Sequence, residues 1–165
     1  MTQHNAPEPW LRGTLTEFDA LRRQVLHALE LAREDVSRWC EGLSETQINA
    51  RPCDVAPVAF HLRHIGRSLD RLLTYAEGKQ LSEAQLMALQ REMEPTPDPL
   101  DECLAMIAEA MTRVKEFSPG SYEEERTVGR KRLPATVGGL LIHCAEHTQR
   151  HVGQAITTAQ IVSRA

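Results

Sequence analysis

His147 and His151 lie four residues apart in the stretch Leu140–Gln154, which reads Leu-Leu-Ile-His-Cys-Ala-Glu-His-Thr-Gln-Arg-His-Val-Gly-Gln. Residues four apart on an α-helix are neighbours on one face. Two neutral imidazoles in that relation can chelate one divalent cation, and such a site then needs only one or two further ligands. His143 adds a third histidine to the same stretch, and His61 and His64 stand close together earlier in the chain.

At 100° per residue, Val137, Leu140, Cys144, Ala155 and Val162 fall within about 40° of His151 on a helical wheel. His151 is mid-stripe, His147 is on its shoulder and His143 is near the boundary, so the pair His147 and His151 is favoured over His143 and His147. An unpaired polar group on such a face costs roughly 1–3 kcal/mol. Two adjacent ones point to a shared partner such as a metal, the alternative being that each satisfies itself on a backbone carbonyl, a water or a neighbouring side chain. On the earlier helix, His61 is nearer the centre of the apolar stripe than His64. Phe60, Leu72 and Tyr75 widen the arc to include His64, so the wheel leaves both open with a slight preference for His61.

Two other chemistries are weighed and set aside. A di-iron carboxylate site needs inward Glu-x-x-His units, whereas Glu146 points outward and follows His143 in the reverse order. Cys144 lies three before His147 on the same face, but a reactive thiol needs exposure and a lowered pKa. Cys144 is expected to be a buried apolar group.

The elements that must position these residues follow from apolar spacing. Thr14 or Thr16 is expected to cap a first long helix running to about Cys40, with Leu15, Phe18, Leu21, Val25, Leu29, Ala32 and Val36 inward. Ser44-Glu45-Thr46-Gln47 is a capping-box pattern opening one short turn. A second long helix is expected from near Asp54, with Pro57 in its first turn, to Ala76. A shorter one runs from Ser82 to about Glu92. A third long helix covers about Asp98 to Phe117. Arg126-Thr127-Val128-Gly129 hints at a short extended hairpin, and Leu133-Pro134-Ala135-Thr136 leads into the last helix, which runs to about Val162. Some twenty residues separate the second and third long helices, long for a tight turn and suited to a crossover.

Composition agrees. With 165 residues, one domain is expected over residues 13–163, preceded by a loose arm over 1–12. Aromatics are only 4%, so the core is mainly Leu, Ala, Val and Ile, and the fold class is all-α. The net charge of -4 gives no basic face for nucleic acid. Arg130-Lys131-Arg132 reads as a solvated loop. None of Cys40, Cys53, Cys103 and Cys144 form a C-x-x-C pair. No apolar run approaches the roughly 20 residues of a membrane helix, and the start lacks a secretory pattern. A cytoplasmic protein with no membrane partner is expected. His4 and His27 are assigned to the arm and to the first helix's surface.

At the histidines the sequence resembles the DinB-like family, also called DinB/YfiT-like metalloenzymes. Leu62-Arg63-His64-Ile65 is similar to that family's first signature. Leu133 to His143, followed by Glu146-His147-Thr148-Gln149-Arg150-His151-Val152-Gly153-Gln154, is similar to its second, and Leu43 to Pro52 matches the usual segment before the second helix. The resemblance spans roughly residues 14–162. It implies a four-helix bundle of the DinB/YfiT type with a long crossover between helices 2 and 3. It also implies a homodimer, and one divalent metal held by His64, His147 and His151, which overrides the wheel's preference for His61. His61 and His143 are then expected to flank the ligands or to touch substrate. One departure is Arg150, where many members carry a histidine.

Three nitrogen ligands leave a position open, the mark of catalytic rather than structural sites. The resemblance therefore implies a divalent-metal-dependent enzyme, a thiol-dependent S-transferase or a hydrolase acting on a small molecule, with a low-molecular-weight thiol as a partner. The alternative is a non-catalytic dimeric bundle that binds a metal or small ligand. Histidine nitrogens suit several transition metals, with zinc or nickel the expected ion.

Overall fold

The computed structural model describes residues 6–164. The protein is mostly helical. Four long helices, α1 (Ala20–Cys40), α3 (Val58–Ala76), α5 (Pro99–Lys115) and α6 (Val137–Val162), share one core. Two short helices, α2 (Glu45–Asn49) and α4 (Glu83–Gln90), lie in the connections. One antiparallel hairpin, β1 (Glu125–Val128) and β2 (Leu133–Thr136), pairs Glu125 with Thr136 and Val128 with Leu133.

The core is built from the apolar stripes of the four long helices. Leu26 and Leu29 of α1, Leu62, Ile65, Leu69 and Leu73 of α3, Ile107 of α5 and Leu141 of α6 are all fully buried. Each such side chain contributes roughly 1.5–3 kcal/mol relative to exposure. The breadth of the apolar arc on α3 follows from its position, since it packs on α5 and α6 and also touches α2, α4 and β1.

The start of α1 differs from the sequence expectation. Leu15 sits in the left-handed region (φ 59°), so the chain turns there and the helix begins at Ala20. Asp19, rather than Thr14 or Thr16, is the cap. Its carboxylate accepts from the Leu21 and Arg22 amides at 3.1 and 3.2 Å and from the Tyr122 hydroxyl at 2.7 Å. Leu15 and Phe18 still pack on the core, which is why their spacing resembled helix. A second difference is the start of α3. Cys53 and Asp54 both have positive φ (51° and 61°), which no right-handed helix continues. The helix therefore begins at Val58, with Pro57 before it as the cap.

The capping boxes at Ser44/Gln47 and Ser82/Gln85 are both formed. α4 ends at Gln90 rather than about Glu92, which leaves Glu92 in the following turn. α5 stops at Lys115, short of Phe117. The hairpin pairs all of residues 125–128 with residues 133–136, which the sequence reading took only as a lead-in. Of the arm expected over residues 1–12, residues 1–5, including His4, lie outside the described residues. Pro9–Leu11 form a 3-10 turn against α1, and Arg12 pairs with Glu34 at 2.6 Å.

Two helix directions matter for the site. α3 and α6 are antiparallel, because His61 meets His151 while His64 meets His147. α3 and α5 are parallel, because Arg67 pairs with Glu102 and Glu77 with Arg113. Parallel neighbours need a crossover, and residues 77–98 supply it with α4 in its middle. The close approach of α3 to α5 depends on Gly66, where an added Cβ would lie 2.9 Å from the Met106 Cβ. We expect Gly66→Val to destabilise the fold by about 1–3 kcal/mol through overpacking, read as a lower urea midpoint with an unchanged m-value.

Candidate metal centre

α3 contributes His61 and His64, one turn apart, and α6 contributes His147 and His151, one turn apart. The antiparallel apposition brings His64, His147 and His151 together. Each offers one ring nitrogen, and these nitrogens lie within 4.8 Å of one another. The His64 and His147 Nε2 atoms are 2.8 Å apart. The ring centroids of His151 are 4.4 Å from His64 and 4.7 Å from His147. All three rings are half-buried. Among the described residues they form the one group of histidine, cysteine or acidic side chains spaced to hold a metal ion.

His61 is not in that group. It is the more buried of the two α3 histidines, as its central place on the wheel implied, at 5% exposure. Its Nδ1 lies 3.1 Å from the Nδ1 of His151. His143 stands one turn before His147, with ring centroids 5.3 Å apart and a half-exposed side chain 3.5 Å from Glu146. Phe60 stacks on His64 at 5.3 Å and meets His61 and His151 edge-on.

Glu92 was not singled out by sequence reasoning. It is only 4% exposed, and its two oxygens take separate partners. Oε2 is 2.6 Å from His64 Nδ1, and Oε1 accepts from Arg71 at 2.7 Å. Burial alone would raise this carboxyl's pKa, but the hydrogen bonds from His64 and Arg71 outweigh that and hold it below the usual range. No spacing signal marks Glu92, since it lies just past a short helix among other acids.

The contacts select a set of tautomers. An ionised Glu92 requires the proton of His64 on Nδ1, which leaves Nε2 as a lone pair. The proton between the paired Nε2 atoms then belongs to His147 in this ion-free arrangement, and ligation through that nitrogen would require the proton to move to Nδ1. The His147 Nδ1 is in turn an acceptor, consistent with that buried atom having no partner among the described residues. An Nδ1–H on His151 finds an acceptor in His61, which leaves the His151 Nε2 lone pair free. Burial, reinforced by the neighbouring imidazoles, lowers the pKa of His147 and His151 to about 4. Burial and the proximity of His64 lower that of His61 to about 4 as well. Neutral imidazole is the form a metal takes. At metal–nitrogen distances of about 2.0–2.1 Å, ligand nitrogens are at most about 4.2 Å apart, so small ring rotations would seat an ion here. The donor set fits a divalent transition metal.

The other residues resolve simply. Cys144 is fully buried and burial pushes its thiol pKa up to about 12, which removes it as a nucleophile. Glu146 is exposed and pairs with Arg150 at 2.6 Å, so neither reaches the cluster. His27 corrects the sequence reading. It is 4% exposed rather than on the surface, with Nε2 3.3 Å from the Thr14 hydroxyl. The basic triplet is exposed in the turn between β1 and β2. No described helix is long and apolar enough to cross a membrane.

Fold and site together define a mostly helical protein with a three-histidine cluster between two antiparallel helices. The family model described as the DinB superfamily matches residues 28–155, which is well over half of the chain and includes all three histidines. The chain belongs to the DinB superfamily. No curated protein matches it.

The lowered histidine pKa values have a consequence for stability. Their ordinary value is 6.5 and their folded value about 4, so between these pH values the unfolded chain binds more protons than the folded one. The histidines' contribution to stability must therefore fall as pH drops through that window and level off below it. We expect the metal-free protein to have a lower urea midpoint at pH 5 than at pH 7. A His147→Phe/His151→Phe variant should show a flatter profile over the same range.

Proposed function

We propose that this chain is a divalent-metal-dependent enzyme in which His64, His147 and His151 hold one transition metal, zinc or nickel. The observation that carries the reading is the convergence of these three rings, with the Nδ1 atoms of His64 and His151 engaged by Glu92 and His61. Such an ion, with three protein nitrogens and an open position, supplies Lewis acidity that activates a thiol or water. The residues around it orient the ligands, and Phe60 stacks against the ring of His64. The scaffold is read as a four-helix bundle of the DinB/YfiT type, with residues 77–98 as its crossover.

Room for a small-molecule substrate lies beside the cluster. A cleft of about 1260 Å³ runs between the end of α3, the hairpin and the start of α6, lined by Leu72, Tyr75, Arg132, Leu140 and His143 among others. His143 links it to the cluster through its approach to His147. The reaction class we favour is S-transfer with a low-molecular-weight thiol, with hydrolysis next. A second reading is a non-catalytic dimer that binds metal for stability, favoured by the exposed apolar residues Leu86, Met87 and Leu89 on α4.

Elemental analysis of untagged protein purified without chelator tests the metal assignment, beside His147→Ala and His151→Ala. About one transition metal per chain, lost in both variants, is the expected result. No metal after reconstitution with zinc and nickel would refute it. The two readings separate on His151→Ala. The enzymatic one expects turnover of thiols with electrophiles to vanish while most of the fold survives. The structural one expects a large drop in melting temperature.

A further inference from the structure

The crossover is more than a connection. Three arginines at four-residue spacing on α3, Arg63, Arg67 and Arg71, all reach into it. Arg63 donates to the Glu94 carbonyl at 2.5 Å, Arg67 to the Ala88 carbonyl at 2.8 Å and Arg71 to the Glu92 carboxylate at 2.7 Å. Asn49 adds a two-way bridge to the Thr96 backbone at 2.9 and 3.1 Å. Gln85 ties α4 to Asp70 at 2.8 Å. The segment from 85 to 96 is thereby held along the outside of α3, and Glu92 is the one residue in it whose side chain reaches a histidine of the cluster.

We propose that Glu92 is a positioning residue of the metal centre, supplied by the crossover, which fixes His64 in the tautomer that presents Nε2 to the ion. The geometry is specific to that task. A carboxylate can only accept, so its 2.6 Å contact places the proton on His64 Nδ1. Arg71 holds the second oxygen at 2.7 Å and stops the side chain turning away. Phe60 stacks on the same ring at an interplanar angle of 20°, fixing its plane. A carboxylate behind a metal-bound imidazole orients the ring and strengthens it as a donor, and loss of such a partner typically costs 10–100-fold in metal affinity. Because α4 and its flanking turns carry Glu92, the centre is complete only when the crossover is seated.

The affinity part of this proposal rests on the metal reading above, whereas the tautomer part does not. Two readouts on Glu92→Gln and Glu92→Leu separate them. Ring ¹⁵N shifts of His64 in metal-free protein report the tautomer, and chelator competition reports zinc affinity. The wild type should show His64 protonated on Nδ1. Glu92→Gln keeps an acceptor without the charge, so it should keep the tautomer and lose about tenfold in zinc affinity. Glu92→Leu should show mixed tautomers and lose about 100-fold. A purely structural Glu92 would lower the melting temperature of both variants without moving either readout, and that result overturns the proposal. A wild type that binds no zinc would refute the metal reading, and the ¹⁵N shifts would still decide the role of Glu92.

Discussion

The antiparallel packing of α3 on α6 is the constraint on which the rest depends. Histidines 83 and 90 residues apart meet because α3 packs on α6, with Leu62, Ile65 and Leu69 of α3 and Leu141, Cys144 and Val152 of α6 buried in the one core. Each large buried apolar side chain supplies roughly 1.5–3 kcal/mol. A single imperfectly paired histidine costs roughly 1–3 kcal/mol. The apolar contacts outnumber the histidines along this seam, so the fold tolerates a polar cluster that no core would otherwise favour. The expense is limited further by keeping the imidazoles neutral, which burial enforces at His61, His147 and His151.

The parallel relation of α3 and α5 has the next largest consequence. It demands a crossover, and the crossover brings a buried carboxylate to the back of His64. Topology thus reaches the chemistry through one residue. The partners of the three rings are unequal. His64 has a charged acceptor, His151 has the neutral ring of His61, and His147 Nδ1 has no partner among the described residues.

Much of this was legible in the residues. The four long helices follow from three-and-four spacing, both capping boxes from Ser-x-x-Gln, and the crossover from the length of chain between apolar stripes. The pair His147 and His151 is visible because both lie on one helix, where spacing alone sets proximity. The choice between His61 and His64 is not, because a wheel measures centrality and therefore burial. His61 is indeed the more buried, yet the ring that joins the cluster sits on the shoulder of the stripe. Local backbone reversals were also invisible: left-handed Leu15, Cys53 and Asp54 move helix starts without altering the apolar pattern. Glu92 and the arginines of α3 carry no spacing signal, since their partners lie in a segment whose path only tertiary structure defines. His27 erred in the opposite direction, a polar residue on α1 that the fold buries.

X-ray absorption spectroscopy of the zinc-loaded protein addresses the metal assignment at its source. The account predicts three imidazole nitrogens at about 2.0–2.1 Å, with one further light-atom ligand from solvent. A thiolate at about 2.3 Å, or an ion with fewer than three imidazole ligands, would contradict it.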